Sequence, residues 1–355
     1  MGWRWVPILA AMVVACGETE RSEGDDTDES GTTDGEGAST GGASSTGRAS
    51  STGGASSSQG TTGTQGPTGS GGSGGDLTGD CSLVKSDQAE ITLDEQAEVE
   101  ALRNVGTIEG TLLITGSVTD LSPLECLGEV TGDLAVYETE ALEDLSGLER
   151  LASLGGTLYV GSRCDEGPGE CVGNAALREL SGLRNLVRAK DIVIAAKCFG
   201  EGLDEDCARN AALTKVSFEG LREIETLTLH ENLVLTEVHL AALVGASELH
   251  VESAPALTLL RFPSITSLET LAVSAAPMLK ELAFAQLSEV GLLALNRTGL
   301  VDLRAFEALS EVGALYVYGN PELASLEGVG RLERGRVTIE ANGAFALWPD
   351  RARRC

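Results

Sequence analysis

The chain has 355 residues and a formal charge of −29, from 54 acidic against 25 basic side chains. A chain this acidic repels phosphate backbones and anionic headgroups, which argues against nucleic-acid binding. Glycine supplies 45 residues and aromatics only 4% of the chain, and the composition changes sharply along its length.

Residues 1–15 read as an export signal: Arg4 supplies a positive start, and residues 6–15 form an apolar run too short to span a bilayer. The run ends in Val13-Val-Ala-Cys16, which resembles the bacterial lipobox, where a small residue precedes the cysteine that receives diacylglycerol. The resemblance implies a lipidated Cys16, attachment to the membrane through that lipid and, with Gly17 next, a place in the bacterial cell envelope at the outer membrane. Residues 16–79 follow as a tether rich in Gly, Ser and Thr, carrying ten acids against Arg21 and Arg48. Such a segment cannot collapse, and about 60 residues of it reach roughly 40–45 Å r.m.s..

Residues 80–355 form a repeat. An apolar–x–apolar strand core recurs from Leu112/Ile114 through Leu134/Val136, Leu158/Val160, Ile192/Ile194 and Leu227/Leu229 to Val337/Ile339. Its first positions are spaced by 22, 24, 34 and 35 residues, and then by 22 five times running. A fixed stride of this length predicts a solenoid of about ten coils, because one coil cannot bury its apolar face alone. Alternation sends Leu227 and Leu229 inward and Thr228 and His230 outward on one parallel sheet face. The three-residue spacing of Leu142, Leu145, Leu148 and Leu151 predicts short 3-10 or irregular segments between strands. At the start, Thr92-Leu-Asp-Glu95 has the pattern of a capping box and predicts a capping helix to about Arg103. Phe345, Leu347 and Trp348 are expected to close the last coil.

Gly132-Asp-Leu-Ala-Val-Tyr137, Ala141-Leu-Glu-Asp-Leu-Ser-Gly-Leu148 and Leu154-Gly-Gly-Thr-Leu-Tyr-Val160 resemble the receptor L domain. Gly319-Asn-Pro-Glu-Leu323 matches that family's Asn-Pro-x-Leu corner, while Ser253-Ala-Pro-Ala-Leu257 and Ala275-Ala-Pro-Met-Leu279 keep only its proline. The resemblance covers residues 81–342 and implies right-handed, leucine-rich-repeat-like coils. It brings no catalytic residue with it.

Two long repeats carry paired cysteines, Cys164 with Cys171 and Cys198 with Cys207, at the feet of parallel insertions. An exported protein would join each pair as a disulfide; a four-thiolate zinc site is the alternative, although spacings of seven and nine residues exceed the usual zinc knuckle. Cys81 and Cys126 flank the first coil as a further candidate pair, and Cys355 is left over. Calcium at Asp165–Glu166 or Asp204-Glu-Asp206 stays open as an alternative, but neither approaches a calcium-loop spacing, and the expectation is no metal or other cofactor.

All four tyrosines, Tyr137, Tyr159, Tyr316 and Tyr318, fall in the outward columns of the strands, with His230 and His250 between them. Tyrosine offers a large amphipathic contact surface, and repeat proteins bind along their sheets. The expectation is a tethered binding or adhesion module for a protein or a glycan, not an enzyme. A polysaccharide-active β-helix enzyme and a passive envelope spacer are the alternatives, the first disfavoured by the scattered placement of acids on the outward columns.

Overall fold

The computed structural model describes Cys81 and residues 84–162, 173–195, 210–332 and 335–343. Cys16, Cys164, Cys171, Cys198, Cys207, Cys355 and the aromatic run at 345–348 lie outside the described residues.

The repeat folds into a parallel β-solenoid of about ten turns with almost no helix. Its main sheet has eleven strands in chain order: Glu90–Leu93, Thr111–Gly116, Leu134–Thr139, Leu158–Gly161, Asp191–Ala195, Thr226–His230, Glu248–Glu252, Ser267–Ala276, Glu289–Thr298, Glu311–Tyr318 and Arg336–Glu340. The stride sets the register directly, so that Leu227, Leu249, Leu271, Leu293, Leu315 and Val337 stand side by side. Of these, the five leucines are essentially inaccessible to solvent, and each contributes roughly 1.5–3 kcal/mol by burial.

Two shorter parallel sheets line the return path of the coils. Val84–Ser86, Val105–Ile108, Glu129–Val130 and Ser153–Leu154 form one, and Lys215–Ser217, Glu237–His239, Leu259–Arg261 and Glu281–Ala283 form the other. The expected 3-10 segments occur at Ser122–Leu124, Ser181–Leu183 and Arg304–Phe306. The coils of the second short sheet replace that turn with a three-residue strand, whose pairing along the sheet satisfies backbone groups that a lone turn leaves to solvent.

The start of the domain differs from the sequence expectation. Thr92 lies within the first strand, where Ile91 and Leu93 are buried and pair with Leu112 and Ile114. The helix runs only Gln96–Ala101, and Glu98 takes the role assigned to Glu95: its carboxylate accepts the backbone N–H groups of Asp94 at 2.7 Å and Glu95 at 3.2 Å. Two apolar residues at strand spacing outweigh a capping pattern that overlaps them. Gln96 ties this helix to the next coil, accepting from the N–H groups of Thr119 and Asp120 at 3.1 Å each.

Cys81 and Cys126 are joined by a disulfide across 45 residues of sequence. A loop of that length stabilises the fold by about 2–4 kcal/mol through the unfolded state. The Cys81→Ala/Cys126→Ala double variant should therefore denature at lower guanidinium concentration and lose its response to reductant at this bond; an unchanged midpoint would mean that packing alone holds the first turn.

Most main-sheet strands end at a left-handed corner. Glu138, Glu231, Ser253, Ala275, Arg297 and Ala341 have φ between 51° and 55°, and Gly319 has 67°. The next residue turns into the core: Thr139, Asn232, Ala254, Ala276, Thr298 and Asn320 are all buried. The asparagines there donate back to the preceding strands, as Asn232 does to the Ile194 carbonyl at 2.7 Å and Asn320 to the Leu295 carbonyl at 2.9 Å. These buried bonds hold a corner that would otherwise be strained for residues bearing a Cβ.

Candidate ligand-binding face

The in-register strands arrange outward side chains in straight ladders across the main sheet. One ladder passes through Tyr159, Val193, Thr228, His250, Ala272, Ala294, Tyr316 and Thr338. The next passes through Tyr137, Gly161, Ala195, His230, Glu252, Ser274, Asn296, Tyr318 and Glu340. The outward columns read from the sequence are thus the ladders of the sheet.

The four tyrosines do not share one environment. Tyr137 is only 8% exposed, so it offers little surface to a partner. Tyr159 is mostly enclosed, and its hydroxyl donates to the carbonyl of Ser162 and, at 3.4 Å, to that of Ala195. Burial, with the charge of Glu138, pushes the Tyr159 phenol well above its usual pKa. Gly161 lets the adjoining strand approach here, since a Cβ would lie 1.9 Å from the Ala195 carbonyl oxygen and would also press on the Tyr159 hydroxyl at 3.0 Å. Tyr316 and Tyr318 behave as expected from alternation: Tyr316 is half-buried and Tyr318 is 47% exposed. The open aromatic surface of the sheet therefore lies with the second pair.

The histidines are paired with acids. His250 Nε2 lies 2.9 Å from Glu248 two residues back on the same strand, and His230 Nε2 lies 3.7 Å from Glu252 on the adjoining strand. All four side chains are partly exposed. Among the described residues no group of three His, Cys, Asp or Glu is placed to hold a metal ion.

Between the two groups the sheet is low. Ala272 and Ala294 separate His250 from Tyr316 on one ladder, while Ser274 and Asn296 separate Glu252 from Tyr318 on the other. The result is a trough two strands wide, with His250 and Glu252 on one side and the two tyrosines on the other. The carbonyl oxygen of the Asn296 side chain is buried there without a hydrogen-bond partner. Leaving such a group unpaired costs about 1–3 kcal/mol.

A separate open groove of about 570 Å³ runs along the return path, lined among others by Glu129, Arg188, Lys190, Glu223 and Glu225. Arg188 reaches Ser153 at 3.2 Å and Lys190 sits 3.9 Å from Asp191. Burial raises the Asp191 carboxyl above its usual range, an effect that Lys190 partly offsets. No sequence motif marks this groove, because its residues come from coils separated by insertions. It mixes three carboxylates with two cations and has no aromatic side chain in its lining. The trough has convergent contact chemistry and is the stronger candidate site.

No protein-family model matches this sequence, and no curated protein is significantly similar to it.

Proposed function

We propose that this chain is an exported, lipid-anchored binding protein of a bacterial cell envelope, with a receptor L-domain-like solenoid that presents its main sheet to a protein or glycan. The carrying observation is the Tyr316–Tyr318 ledge. Among the described residues, Tyr318 is the aromatic member of the exposed large apolar side chains. It stands two residues from Tyr316 on the same face, beside in-register small residues. Aromatic side chains that combine apolar area with a polar tip favour contact sites, and a rigid repeat scaffold limits the entropy lost on binding. The lipidated Cys16 and the tether at 16–79 would hold this face away from the membrane.

The Tyr316→Ala/Tyr318→Ala variant should lose retention on cell-envelope fractions while its stability changes by no more than about 1 kcal/mol per site. Retention equal to wild type would remove this ledge from the contact surface. The anchor is tested separately: wild type should partition into detergent and Cys16→Ala into the aqueous phase, and a water-soluble exported wild type would overturn it.

A further inference from the structure

We infer that the trough between His250/Glu252 and Tyr316/Tyr318 binds a neutral pyranose oligosaccharide, an inference that rests on the main sheet being the binding face. The strands Glu248–Glu252 and Glu311–Tyr318 are separated by two intervening strands, so the walls stand three strand spacings, roughly 14 Å, apart. Between the walls these two ladders carry Ala272, Ala294, Ser274 and Asn296, with Thr270 and Leu292 in the adjoining column, leaving room for a sugar chain to lie against the sheet.

The chemistry of the trough selects a ligand with an apolar face and many hydroxyl donors. Tyr316 and Tyr318 offer ring surface to the C–H face of a pyranose, as aromatic groups in binding sites commonly do for apolar surfaces. The Asn296 side-chain oxygen is buried without a partner, and turning its amide outward to accept a sugar hydroxyl would satisfy it. Glu252 lies on the same ladder as Ser274 and Asn296 and adds an acceptor at one end, while Glu340 stands on the far side of Tyr318.

Charge narrows the class. Glu248, Glu252 and Glu340 outnumber Arg336 on this face, and the chain carries −29 overall, so the face disfavours uronates, sulfates and phosphates. The histidines lie beside Glu248 and Glu252 and do not present isolated positive charges. A peptide adding itself as a strand needs an open sheet edge, whereas these strands are interior to the sheet and paired on both sides. A helix seeking a broad apolar surface meets a floor interrupted by Ser274 and Asn296.

The test is calorimetric titration of the full chain in detergent with cello-, manno-, malto- and chitohexaose, with polygalacturonate as the acidic control. At least one neutral hexasaccharide should bind. Tyr316→Ala should weaken that binding about tenfold or more, the effect of losing about 1.4 kcal/mol of contact. Ala294→Leu, which raises the floor and removes no contact group, should weaken it similarly. Both variants should keep the wild-type denaturation midpoint; if Ala294→Leu shifts it, Asn296→Ala serves as the second variant. Failure of all four hexasaccharides to bind, preference for polygalacturonate, or indifference to the floor variant overturns the inference. Envelope retention that requires both tyrosines and resists periodate but not protease would also overturn it, while leaving the sheet-face reading intact. Sugar binding and envelope retention that both ignore the tyrosines would overturn the two together.

Discussion

Replacing Phe284 by alanine should destabilise the solenoid by about 3–5 kcal/mol, the range for deleting a large aromatic side chain from a core. Phe218, Phe262, Phe284 and Phe306 are completely buried, and the last three recur at the 22-residue stride. The ring of Phe284 lies 5.3 Å from that of Phe262 and 5.8 Å from that of Phe306, with interplanar angles of 20° and 21°. Its removal therefore opens a cavity and breaks two offset ring contacts, each worth about 0.5–1.5 kcal/mol beyond area. Because a solenoid is held together by nearest-neighbour interfaces, both interfaces of that coil weaken. Phe218 makes no such ring contact with Phe262, since Leu240 occupies the intervening coil position. Phe218→Ala should thus cost less than Phe284→Ala, and Phe284→Leu should cost less than either. Guanidinium denaturation of the three variants checks the order. Equal losses at Phe218 and Phe284 would show that the stacked rings add nothing beyond their volume.

The repeat made much of this fold legible. Once a 22-residue stride is seen, lateral neighbours follow by counting, so the ladder placing Ala272 and Ala294 between His250 and Tyr316 can be written from the sequence. What counting cannot supply is the depth of each outward residue. Tyr137 is buried and the Tyr159 hydroxyl is held by the Ser162 and Ala195 carbonyls, yet the β-propensity of both looks the same as that of Tyr316 and Tyr318. The side groove escaped for the complementary reason: Ser153, Arg188 and Glu223 pair through single bridges across coils where insertions break the stride. Thr92 misled because its capping pattern overlaps a strand. The corner asparagines were visible three residues before Leu177, Leu213, Leu235 and Leu323, but their role depends on which carbonyls the adjacent coils bring within reach.

The corner asparagines carry the second large expected effect, at Asn174. This side chain is fully buried. Its Oδ1 accepts from the Thr139 hydroxyl at 2.8 Å and the Thr139 N–H at 3.2 Å. Its Nδ2 donates to the carbonyls of Val136 at 3.0 Å and Gly161 at 3.2 Å, and to Asn210 Oδ1 at 3.0 Å. Asn174→Ala strands several of these groups at once, and at about 1–3 kcal/mol for each buried group left unmade the total should reach roughly 3–5 kcal/mol. Ala254 and Ala276 occupy equivalent corners without harm, which raises the possibility of a cheap substitution. Their surroundings differ, however: Thr139 and Asn210 both point polar atoms at Asn174, and alanine cannot answer them. Adding Thr139→Val to Asn174→Ala should therefore recover part of the loss, a coupling that a double-mutant cycle measures directly. Asn174→Asp supplies an independent check. It keeps the acceptor for Thr139 but sets a carboxylate against three acceptors, so burial and repulsion raise its folded-state pKa above the unfolded value near 4. The folded form then holds the proton more tightly, and stability relative to wild type should fall as pH rises through that raised pKa and recover in acid. A loss for Asn174→Asp that does not vary with pH, together with no coupling between positions 139 and 174, would mean that shape and not hydrogen bonding fixes this corner.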